Sequence, residues 1–65
     1  MDVNKYNYQV SWSDADQEFA ATANEFPSLS WLDSNEQAAK AGLLNLVSEG
    51  VEDMKESGEK IPEPQ

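Results

Sequence analysis

The chain has 65 residues with no cysteine and no histidine, which leaves one small core and excludes a disulfide frame, a thiolate zinc site and an imidazole base. Its 13 acids face 4 lysines, so the net charge is −9. Such a chain repels phosphate backbones; the charge predicts no direct nucleic-acid binding and either a basic partner or a solubility role.

No run of about 18 apolar residues occurs, so no membrane contact is expected. Met1-Asp2-Val3-Asn4-Lys5 lacks the basic and apolar blocks of a signal peptide, and a cytoplasmic location is the expectation.

Tyr6 to Ser13 alternates strictly, with Tyr6, Tyr8, Val10 and Trp12 on one side and Asn7, Gln9, Ser11 and Ser13 on the other. Period two with aromatic and β-branched residues predicts a half-buried strand over about 5–13. Asp14-Ala15-Asp16-Gln17 supplies turn chemistry. Alternation resumes at Glu18, with Phe19, Ala21 and Ala23 on one face, and predicts a second, antiparallel strand over about 18–26. Pro27 lacks a ladder donor and is expected to end it. Leu29 and Trp31 alternate with Ser28 and Ser30, which predicts a short third strand at about 28–32.

Ser34 and Gln37 have capping-box spacing. From Asn35 the period changes to about 3.6. Ala39, Leu43, Leu46, Val47, Gly50, Val51 and Met54 then share one helical face, and Gly58 suits the position beyond the helix end. The helix is predicted over about 35–57, close to 34 Å long. The expected architecture is α+β: a three-stranded antiparallel sheet with one long helix on one face, as a single domain over 1–60. Tyr6, Tyr8, Val10, Trp12, Phe19 and Trp31 are expected to meet the helix stripe. Gly50 lies near the middle of that stripe, and an indole, of Trp12 or Trp31, is expected against it. Ile61 to Gln65 carries Pro62 and Pro64, cannot be helical, and reads as the start of a proline-rich linker or tail.

Candidate chemistry is sparse. Asp14, Asp16 and Glu18 could gather around a hard cation, but the spacing lacks the glycine and distal glutamate of a calcium loop, and a solvated turn explains them. Ser28, Ser30 and Ser34 have no histidine to activate them, so capping and turn roles are expected. No catalytic residue, cofactor or metal site is predicted. Glu49, Glu52, Asp53 and Glu56 stand out. They fall within a stripe of about 100° on the helix, away from the apolar face. Glu49 with Asp53, and Glu52 with Glu56, repel at i, i+4, and acids near a helix C-terminus oppose its dipole. These four are the candidate partner-binding residues; the competing reading is a solubility face.

Three segments in order carry a family resemblance: Glu25-Phe26-Pro27-Ser28-Leu29, Asp33-Ser34-Asn35-Glu36-Gln37-Ala38, and Gly58-Glu59-Lys60-Ile61-Pro62-Glu63-Pro64. Together they resemble HicB-type antitoxins of bacterial toxin–antitoxin pairs, across essentially the whole chain. Two departures stand out. Many members carry Pro-Gly-Cys where this chain has Pro27-Ser28-Leu29, and Gly-Asp-Thr where it has Leu32-Asp33-Ser34. The resemblance implies a degenerate ribonuclease-H-like sheet without catalytic acids that neutralises a cognate, small, basic ribonuclease toxin of the HicA type. It also implies that DNA binding belongs to a C-terminal module absent here. The alternatives are a free-standing structural or regulatory α+β domain, as a homo-oligomer such as a dimer, and a residual carboxylate site on Asp14, Asp16 and Asp33.

Overall fold

The computed structural model describes residues 3–65. Met1 and Asp2, the head of the stretch read as lacking a leader, lie outside the described residues. The chain forms β1 (Tyr8–Ser13), β2 (Glu18–Ala23), β3 (Phe26–Asp33) and α1 (Glu36–Ser57), with a short 3-10 turn at Val3–Lys5 before them. The strands make an antiparallel sheet in the order β1-β2-β3, and α1 packs on one face of it. The expected α+β architecture is the one found.

The first strand starts later than the expected residue 5. The Tyr6 amide closes the preceding turn onto the Val3 carbonyl at 3.3 Å, and the Tyr8 hydroxyl donates to the same oxygen at 2.6 Å. Val3 to Tyr6 is thereby turned away from the ladder. β1 and β2 pair from Tyr8↔Ala23 to Ser13↔Glu18, leaving the expected four-residue loop at 14–17. Gln17 takes a left-handed φ of 55° there.

The second connection differs from the sequence reading. β2 stops at Ala23, not near Phe26, and Phe26 and Pro27 open β3 instead of closing β2. Ala23 pairs with Phe26, and Thr22 pairs with Ser30. Pro27, Ser28 and Leu29 therefore bulge from β3 where β2 has no matching residues. A proline is tolerated there because β3 is an edge strand and the ladder is already interrupted.

The helix cap also sits one residue later than expected. Asn35, extended at φ −113° and ψ 131°, accepts the Ala38 amide on its side-chain oxygen at 3.0 Å. Asp33 in turn accepts the Asn35 amide at 3.2 Å, which leaves Ser34 as a connector. At the far end Gly58 adopts φ 76°, and its amide bonds the Met54 carbonyl. That left-handed conformation carries little strain in glycine.

Tyr6, Ala21, Ala23, Phe26, Ala39, Leu43, Val47 and Val51 form the buried core, with Tyr8, Val10, Phe19, Leu29, Leu46 and Met54 packed around it. The helix face is the one its periodicity indicates. Two of the aromatic expectations change. Trp12 is not beneath the helix: it is 49% exposed at the sheet end, edge-on to Phe19 at 5.1 Å, with its indole N–H on Asp14 at 2.7 Å. Trp31 does reach the helix, but at Gly42 and not at Gly50. A Cβ on Gly42 would overlap its ring, whereas the nearest atom to a Cβ on Gly50 is Leu29 Cδ1 at 3.9 Å. The connection from β3 into α1 is short, so the helix doubles back along β3. The late residue Trp31 therefore meets the first half of α1, and the earlier Leu29 meets the second half. Among the described residues nothing covers the opposite sheet face, which carries Gln9, Ser11, Thr22 and Ser30, with Leu32 43% exposed.

Candidate partner-binding surface

Glu49, Glu52, Asp53 and Glu56 are all exposed on α1, so their charges are presented to solvent as the pattern predicts. Among the described residues the sole ion pair on this stripe joins Lys55 to Glu52 at 3.6 Å, with both side chains well exposed. An exposed i, i+3 pair of this kind contributes little. The net charge of the stripe stays negative. Among the described residues the weak Lys55–Glu52 pair is the one ion pair that offsets the like-charge neighbours.

The other acids are dispersed. Asp14 accepts the Trp12 indole, Asp16 accepts the Ser13 hydroxyl at 3.0 Å, and Asp33 is occupied by the Asn35 amide. The structure gives Asp14, Asp16 and Asp33 local turn and cap roles in place of a shared carboxylate site. Among the described residues no three of His, Cys, Asp and Glu are grouped to hold a metal ion. Ser28 lies in the β3 bulge, Ser30 on the uncovered sheet face and Ser34 in the connector, all exposed and apart from one another.

One acid missed by sequence reasoning is the most constrained. Glu25, in the turn between β2 and β3, is only 8% exposed. Its carboxylate accepts the Asn7 amide at 3.0 and 3.2 Å, the Asn7 side-chain amide at 2.9 Å and the Gln65 amide at 2.9 Å. Burial alone would push its pKa up. The hydrogen bonds from Gln65, Asn7 and its own backbone outweigh that and hold the pKa below the ordinary glutamate value. Next to it the Tyr6 hydroxyl donates to the Pro62 carbonyl at 2.6 Å. Burial, and then the Glu25 charge, raise the pKa of that phenol and keep it a donor. Residues 61–65 form no helix or strand, in keeping with their prolines, and lie against the domain: Ile61 packs on the core, and Asn7 donates to the Gln65 carbonyl at 3.0 Å. The signal for Glu25 was not local, since its partners stand 18 and 40 positions away.

The Glu25 geometry fixes a pH dependence. A carboxyl whose pKa is lowered by folding stabilises the fold above its unfolded value and loses that contribution as pH falls through the folded one. The window therefore opens near 4.5, the ordinary glutamate value, and extends downward. Wild type is expected to be more stable than Glu25→Gln at neutral pH, with the gap closing through that acid window. Urea unfolding of both proteins across the range measures the gap; a constant gap contradicts the assignment. Taking the difference cancels the titration of the other carboxylates. Comparison with family models, with characterised proteins and with solved structures returns no match for this chain.

Proposed function

We propose that this chain is a non-catalytic antitoxin domain that binds and neutralises a small basic ribonuclease toxin of the HicA type. The observation that carries the proposal is the exposed stripe Glu49, Glu52, Asp53 and Glu56 on a chain of net charge −9. Like charges aligned with only one weak internal ion pair favour a cationic partner, whose approach they steer and accelerate. At about 100° per residue Gly42 falls within the same angular span as Glu49 and Asp53. The 40%-exposed Trp31 ring beside Gly42 thus borders that flank toward the helix N-terminus. A half-exposed tryptophan next to charge is a frequent anchor in protein interfaces. The resemblance of the three quoted segments to HicB-type antitoxins supplies the partner's class, and with it the ribonuclease-H-like reading of the sheet.

The test is Glu49→Lys, Asp53→Lys and Glu56→Lys together, co-expressed with a HicA-type toxin encoded beside the gene. Wild type is expected to form a complex and restore growth. The triple variant is expected to bind at least about tenfold more weakly, on the order of 1.4 kcal/mol, mainly through slower association. A folded triple variant that binds like wild type moves the interface elsewhere on the domain. Failure of wild type to bind any basic ribonuclease defeats the proposal. The second reading, a free-standing homodimer, is favoured by the uncovered sheet face and its exposed Leu32. Sedimentation at several concentrations decides it.

A further inference from the structure

We infer that Tyr6, Asn7 and Glu25 form a binding site for an extended, proline-containing peptide, and that residues 61–65 are its resident ligand. The contacts to the tail address its backbone: the Tyr6 hydroxyl donates to the Pro62 carbonyl at 2.6 Å, the Gln65 amide donates to Glu25 at 2.9 Å, and Asn7 donates to the Gln65 carbonyl at 3.0 Å. Recognition therefore reads the main chain at Pro62 and Gln65. Ile61, packed on the core, supplies the one apolar anchor. Pro62 and Pro64 fix that geometry in advance and reduce the entropy lost on docking.

Part of the site is held by contacts that do not involve the tail. Both Glu25 oxygens are positioned by the Asn7 backbone amide at 3.0 and 3.2 Å, a contact between the residue preceding β1 and the β2–β3 turn. Tyr6 is fixed by its edge-on packing against Phe26 at 5.1 Å. Receptor and ligand lie in one chain, separated at Gly58, whose left-handed φ of 76° ends the helix and turns the tail back. The tail thus closes its own site, and a partner segment of the same chemistry, an extended peptide with spaced prolines, enters only by displacing it.

The experiment uses the whole 65-residue chain. Ile61→Asp, Pro62→Gly and Pro64→Gly together disable the tail and leave Tyr6, Asn7 and Glu25 intact. A fluorescently labelled peptide with the sequence of residues 59–65 is then titrated in. The tail variant is expected to bind it at least about tenfold more tightly than wild type, because the tethered tail competes at a high effective concentration. Adding Glu25→Ala to the tail variant is expected to remove that binding. No binding by a folded tail variant, or binding unaffected by Glu25→Ala, overturns the inference. Should the tail variant fail to fold, hydrogen exchange in wild type decides: protection of the Gln65 amide at least about tenfold over an unstructured peptide supports the site, and unprotected exchange overturns it.

Discussion

Leu43→Ala is expected to remove most of the stability of the domain. Leu43 is 0% exposed and is one of the two largest side chains fully enclosed in the core, with Val47. It sits on the helix face that meets Ala21 and Ala23, whose small side chains leave no bulk to collapse into a void. Truncating a buried leucine costs about 2–5 kcal/mol, the upper part of the range applying where the surroundings cannot relax. A chain of this length has a total stability of about 3–10 kcal/mol. The variant is therefore expected to be largely unfolded at room temperature, or to unfold at a urea concentration less than about half that of wild type. Urea titration followed by tryptophan fluorescence and far-UV circular dichroism measures this. A loss below about 1 kcal/mol would show that the helix is not packed on the sheet as described. Leu32, on the uncovered face, is the control: Leu32→Ser is expected to change stability by no more than about 0.5 kcal/mol.

The two helical glycines are expected to respond to the same substitution with opposite sign. Gly50→Ala places its methyl group in ordinary contact with Leu29 Cδ1 at 3.9 Å, so the helix-propensity gain of up to about 1 kcal/mol is retained. Gly42→Ala drives its methyl group into the Trp31 indole. Overpacking of this kind costs about 1–3 kcal/mol, which exceeds the propensity gain. A net loss of about 1 kcal/mol is expected, with a melting temperature lower by about 4–8 °C. Trp31 is half-exposed, so it can swing outward, and its fluorescence is expected to shift to the red in a Trp12→Phe background. Thermal melts of the two variants side by side check the pair. Equal gains from both would mean that the indole does not rest on Gly42.

The fold was legible where one local pattern decided it. The alternation from Tyr8 to Ser13 and the 3.6-residue spacing of Ala39, Leu43, Val47 and Val51 each name a face without knowledge of the rest of the chain. Boundaries were less legible where two residues compete for one role. Ser34 and Asn35 are both good caps, and the hydrogen bond from the Asn35 amide to the Asp33 carboxylate selects the second. Pro27 reads as a strand terminator, but an edge strand accommodates it in a bulge, so the strand begins before the proline and continues past it. The partner of an indole depends on the direction in which α1 returns along β3, which periodicity does not contain; Gly42 and Gly50 look alike until that direction is known. The acidic stripe was fully visible in the sequence because it follows from helical spacing alone. Glu25 was not, because its role depends on Asn7 and on Gln65, both remote along the chain.

The strap from Gly58 to Gln65 also separates the domain in time. Adjacent strands are joined by connections of a few residues, so the strand pairings β1-β2 and β2-β3 are local and close early. The bond from Asn7 to Gln65 spans 58 positions. Closing a loop of that length in the open chain carries a large entropy cost, so the contact follows assembly of the sheet and helix. A folding experiment with one probe on Trp31 and another at the tail would thus see two clocks: the core sets first, and the end of the chain locks onto a surface that is already complete.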